Sequence, residues 1–206
     1  PLVALELKNQ FKNQSVEHAK KQFMFDRDPK ELVFQFNRRF LVYFAVDTHE
    51  VWMTTKLSGD KTYFLPFNQG SKGAGNVGGA GNPERDDDYI TAYLWQNVLQ
   101  KDALLDIIQR FMNLEVKIEK NSSGKQVEKK TLIFPRYHQL DVVKKLVEDT
   151  QQNGSGNHYL IQHSAGSGKS NSIAWLAYHL QRIHNDQNQP LFNSVIIVTD
   201  RTVLDR

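Results

Sequence analysis

With 206 residues, the chain can bury a sizeable core and has room for one or two domains. Its 26 lysines and arginines against 23 acidic residues give a formal charge of +3, which suits a polyanionic partner but is too slight to argue for one. The lack of cysteine excludes disulfides and thiolate–metal sites, no apolar run nears the ~20 residues needed to cross a bilayer, and no signal-peptide pattern opens the chain; a soluble cytoplasmic protein without membrane contact is expected.

Position 1 is proline and strand-like runs, Leu2 to Leu7 and Ser194 to Thr199, lie near the two ends, so the chain reads as a piece of something longer. Leu2 to Lys8 has the length and aliphatic content of a buried strand. Its two-residue alternation sets Glu6 and Lys8 on one face and Val3, Leu5 and Leu7 on the other. An acid and a lysine two apart on a strand form the Glu-x-Lys half of the PD-(D/E)xK nuclease site. There the carboxylate holds a divalent cation, and the lysine orients or deprotonates water and steadies phosphate charge. On the residues alone, a solvated ion pair on an exposed face is the commoner outcome of that spacing.

Ser15 can cap a following helix that carries Val16, Ala19 and Phe23 on one face. Gln22, toward its end, is a candidate for the same site or an ordinary polar surface residue. Phe40–Val46 and Val51–Leu57 read as strands joined by Asp47 to Glu50, a polar tetrad suited to a hairpin turn. Asp47 is therefore read as a turn former and His49 as a solvated residue.

Six of the twelve glycines fall between Gly70 and Gly81. No strand precedes this stretch in phosphate-loop register and no helix starts directly after it, so it is expected to be a mobile connection. Tyr89–Leu114 has a helical period through Leu94, Val98, Leu104, Ile108 and Phe111, on one helix or two. Asn121 to Gly124 then interrupts two lysine-rich flanks that read as solvated hairpin arms. The domain boundary is set at that break, with residues 1–120 in one domain and 121–206 in the next.

The second half is organised around Gly166, Ser167, Gly168, Lys169 and Ser170. The apolar run Tyr159–Ile161 precedes them, and a helix with Ile173, Trp175, Leu176 and Leu180 follows. Strand, glycine turn and helix together make a phosphate-binding loop: backbone amides turn inward, the helix N-terminus adds positive charge, Lys169 reaches the outer phosphates, and the Ser170 hydroxyl can ligate Mg²⁺. His163 stands where the full pattern has its first glycine, as in helicase-type loops. Thirty residues before Lys169, Gln139 follows an aromatic on the first turn of a helix. That spacing matches the Q motif of superfamily 2 helicases, whose glutamine amide pairs with the N6 and N7 edge of adenine.

With these motifs in place, the chain resembles the R (restriction and translocation) subunit of type I restriction-modification enzymes. The likeness runs through Leu5 to Asn9, Phe64 to Asn68, Tyr93 to Trp95, Phe134 to Gln139, Gln162 to Ser170 and Val198 to Arg201. It implies an α/β chain: a partial restriction endonuclease-like (PD-(D/E)xK) domain, then an incomplete RecA-like P-loop domain. It further implies nuclease and metal roles for Glu6 and Lys8, a supporting role for Gln22, adenine recognition by Gln139, and ATP and Mg²⁺ binding from Gly166 to Ser170. Thr199, Asp200 and Arg201 correspond to the segment that contacts the DNA backbone. The implied partners are double-stranded DNA and the methyltransferase (M) and specificity (S) subunits.

The family's nuclease glutamine is usually followed four residues later by tyrosine, where this chain has Asp26. No acidic residue precedes Glu6, and no Walker B Asp-Glu ends a later strand. The piece alone is therefore expected to be inactive. Two other readings stand beside it: a superfamily 2 ATPase whose amino-terminal domain is a non-catalytic DNA or subunit clamp, and a nonenzymatic nucleotide-binding assembly module.

Overall fold

The structure, a computed structural model, describes residues 2–199. They form two compact units, the first ending at Tyr137 and the second beginning at His138.

The first unit is built on a sheet of order β1-β2-β3-β4: Val3–Leu7, Val42–Val46, Val51–Thr54 and Leu65–Pro66. β1 runs parallel to β2, while β2, β3 and β4 are antiparallel neighbours. Parallel strands need a crossover, and helix α1 (Val16–Lys21), prolonged by a π-helical turn over Gln22–Asp26, provides it. The predicted stripe of Val16, Ala19 and Phe23 is buried against Tyr43 and Ala45 of β2. Asp47 forms the expected turn, its Oδ1 accepting from the amides of His49 and Glu50 at 2.8 Å. Its Oδ2 also accepts from the Val16 amide at 2.8 Å, so one carboxylate fixes the hairpin and the start of α1.

β2 is buried on both faces. Tyr43 and Ala45 face α1, and Phe44 meets Phe67 and Phe134 at ring separations of 5.2 and 5.9 Å. β1 is buried on one face only. Ala4 packs into the α1 cluster, whereas Leu5 and Leu7 are 44% and 61% exposed. The expectation of a buried strand thus holds for the charged face, not the aliphatic one.

Two expectations are corrected in this unit. The glycine-rich stretch is closed on itself by bonds from Gly70 N to Gly81 O (2.8 Å) and from Ser71 N to Gly79 O (3.0 Å). Asn82 ties its base by accepting from Gln69 N and donating to His49 O, both at 2.8 Å. The helical stretch from Tyr89 takes the two-helix form, with Gln100 in an extended conformation before α2 (Lys101–Asp106). A π-helical turn, Ile107–Phe111, follows, and strand begins at Asn113. Finally, the supposed boundary at Asn121 is a hairpin tip. β5 (Asn113–Lys120) and β6 (Gln126–Ile133) pair antiparallel as a solvated ribbon within the first unit. The Asn121 Oδ1 accepts from Ser123 N at 3.1 Å and Lys125 N at 2.9 Å to make the turn.

The second unit contains α3 (Tyr137–Asn153) from His138 onward, and α4 (Lys169–Leu180). The strands expected at Tyr159–Ile161 and Ser194–Thr199 do not form: neither run belongs to a β-ladder. Strand hydrogen bonds come entirely from neighbouring segments, and parallel strands are stable only when covered on both faces. Leu160, Ile196 and Val198 are 93%, 83% and 89% exposed, and the Tyr159 hydroxyl donates to Asp149 instead. Val143 and Leu146 of α3 face Ile173 and Leu176 of α4 across a cavity of about 140 Å³. The expected α/β class is observed; in the second unit its helical part is formed.

Candidate phosphate-binding loop and amino-terminal cluster

The loop of the second unit has the backbone that its glycines allow. Gly166 and Gly168 take φ of +72° and +83°, a region largely closed to other L-residues. Gly168 is the N-cap of α4, so Lys169 and Ser170 lie in a first turn whose amides lack intrahelical acceptors and whose dipole end is positive. The Lys169 Nζ donates to the carbonyls of His163 at 3.1 Å and Ser164 at 2.9 Å. These are neutral partners, which an anion can displace without breaking an ion pair.

α3 meets the loop from behind. The His138 Nε2 lies 3.0 Å from the Ser167 carbonyl, and the Gln139 Nε2 donates to the Gly168 carbonyl at 2.8 Å. A Cβ on Gly168 would run into the Gln139 amide nitrogen. Gln139, expected to read adenine, is 3% exposed and is engaged with the loop. The Ser167 Oγ and the His163 Nδ1 are buried without a hydrogen-bond partner. Burial, and then the charge of Lys169, hold the His163 imidazole below its ordinary pKa. Unsatisfied polar atoms, a free-amide helix start and a lysine held only by carbonyls make a set that fits a triphosphate. Ser170 is the side chain that would meet its Mg²⁺.

In the first unit, the structure brings together all three residues expected at the amino-terminal site. Glu6 and Lys8 lie on the α1 face of the sheet, with Gln22 where α1 passes into its π-helical turn. The Lys8 Nζ is 3.2 Å from Glu6 Oε1 and donates to Gln22 Oε1. Side-chain exposures of 10% for Lys8 and 16% for Glu6 rule out the fully solvated ion pair. Arg27, which the sequence reading missed, places Nη2 3.3 Å from Glu6 Oε2. Its one sequence signal is its place directly after the helix that carries Gln22.

Among the described residues, no three His, Asp or Glu side chains gather around a common point. Glu6 is a lone carboxylate with a cation at each oxygen, so these residues do not by themselves fit a divalent metal, which takes several oxygen ligands. Thr199 is half-buried at the end of the described chain. Asp200 and Arg201 lie outside the described residues.

Residues 138–206, which include this loop, match the SWI2/SNF2 ATPase family. Along all 206 residues the chain is 27% identical to the type I restriction enzyme HindI endonuclease subunit of Haemophilus influenzae, covering 100% of the chain and 18% of that protein. Over 135 residues it is 29% identical to a provisionally named type I restriction enzyme MjaVIIIP endonuclease subunit of Methanocaldococcus jannaschii, covering 60% of the chain and 12% of that protein. The chain thus spans less than a fifth of either relative. No solved structure matches. Residues 138–206 are thus similar to SWI2/SNF2 ATPases, and the chain is similar to endonuclease subunits of type I restriction enzymes.

Proposed function

We propose that this chain is part of an ATP-dependent type I restriction subunit that translocates and cleaves double-stranded DNA in complex with M and S subunits. The observation that carries the reading is the loop from Gly166 to Ser170, with Lys169 held only on carbonyls at the start of α4. In this reading the loop amides and Lys169 bind the triphosphate, Ser170 faces its Mg²⁺, and Gln139 braces the Gly168 carbonyl behind the phosphates in place of the adenine contact expected of it. A RecA-like sheet forms around the loop in the whole protein, and Thr199, Asp200 and Arg201 meet the DNA backbone. The first unit is then a restriction endonuclease-like domain. Its Lys8, oriented by Gln22, steadies phosphate charge and the attacking water, and Glu6 is one oxygen donor among several that a metal would need.

A second reading is favoured by the cations at both oxygens of Glu6: the first unit is a non-catalytic DNA clamp beside a working ATPase. One set of variants in the full-length protein separates the two. Lys169→Ala should lower DNA-stimulated ATP hydrolysis by at least about 100-fold. Lys8→Ala and Glu6→Ala should abolish cleavage and leave hydrolysis near the parent rate. Unchanged cleavage in both would select the clamp, and unchanged hydrolysis in Lys169→Ala would reject the ATPase.

A further inference from the structure

We propose that His138 is a positioning residue of the phosphate site, acting through the carbonyl of Ser167. The inference rests on reading the Gly166–Ser170 loop as a triphosphate site. A phosphate loop works only if successive amides point at the ligand. In a trans peptide the C=O and the following N–H point in opposite directions, so whatever draws a carbonyl away from the ligand aims the next amide toward it.

Two successive loop carbonyls are drawn to α3. His138 Nε2 lies 3.0 Å from Ser167 O, which fixes the Gly168 amide; Gln139 Nε2 lies 2.8 Å from Gly168 O, which fixes the Lys169 amide. A carbonyl can only accept, so Nε2 is the protonated nitrogen of His138. The ring is held by the edge of His163, at a centroid separation of 4.9 Å. His163 is the residue in the first-glycine place of the motif, and it braces the histidine that aims the loop. Since His138 acts on the backbone under the phosphates, its contribution is independent of the base.

The test measures dissociation constants of the full-length chain for ATP, GTP and tripolyphosphate, which has no base. His138→Leu removes the donor and keeps apolar bulk; His138→Gln keeps a donor at similar reach. The Leu variant should weaken all three ligands by the same factor, about tenfold for one lost positioning bond, and the Gln variant should bind within about threefold of the parent. Should the Leu variant fail to fold, as judged by thermal melting, His138→Asn stands in, since its amide is too short to reach Ser167 and should lose binding alike. Unchanged tripolyphosphate binding, a loss confined to ATP, or a folded Gln variant as weak as the Leu or Asn variant would overturn the proposal. A parent chain that binds none of the three ligands would overturn the triphosphate reading itself, and this inference with it.

Discussion

Gly168 carries two constraints and Gly166 only one. Both hold positive φ, but a methyl on Gly168 also meets the Gln139 amide, whereas nothing lies within 4 Å of the position a Cβ would take on Gly166. Gly168→Ala should therefore weaken nucleotide binding by at least about tenfold and cost more stability than Gly166→Ala, whose penalty is backbone strain of about 1–3 kcal/mol; displacement of a labelled nucleotide and thermal melting check both. The motif announced a glycine here but not the second reason for it, which depends on a helix thirty residues upstream. Arg27 was hidden for a related cause: its partner Glu6 lies across the crossover on another strand.

A third residue sets an alkaline limit. Burial pushes the Tyr43 phenol from 10 up to about 12, so the folded state holds its proton after the unfolded chain has released it. The resulting stability is intact below pH 10 and is lost progressively as pH rises toward 12. Urea melts from pH 9 to 11.5 should show that decline, and Tyr43→Phe should lessen it, the remainder coming from Tyr93, whose phenol is likewise raised by burial.

At the scale of elements, α1 was the most legible segment. Its N-cap position and its apolar spacing are local in kind, whereas the main partner of its buried face, Tyr43 and Ala45, lies on β2, further along the chain. What could not be read was the second bond made by Asp47, because a turn residue shows no sign of the helix it also caps. Asp47→Ala should cost about 2–4 kcal/mol, the sum of an orphaned helix-start amide and a lost turn, seen as a lower urea midpoint. Asp47→Asn should recover part of it. The glycine-rich stretch was misjudged because composition reports freedom in the unfolded chain, whereas its order comes from Asn82 and from pairing between Gly70 and Gly81. From Tyr89 onward the sequence left one helix or two open, because the apolar period persists through Gln100, where backbone geometry changes.

For the molecule as a whole, both runs expected as strands in the second unit are apolar and lack neighbours, so their sequence signal is intact and their structure is not. Leu160, Ile196 and Val198 are each exposed apolar side chains, which attract partners or aggregate where they gather into patches. The chain should bind the dye ANS, and Leu160→Glu should lower the fluorescence without shifting the unfolding transition of the first unit; undiminished fluorescence would place the sticky surface elsewhere. The α/β class came with the family resemblance, but the missing sheet of the second unit could not be foreseen, because pairing is a property of several segments together.

Among the described residues, strand β1 has one hydrogen-bonded neighbour, and its outward row of Leu5 and Leu7 is open to solvent. Such a margin recruits stray chains in concentrated solution. Strand parity also offers a remedy for anyone purifying the protein: a lysine in place of Leu7 would repel copies of the molecule from that margin, while Glu6 and Lys8, on the reverse side of the same five-residue ribbon, would not register the change.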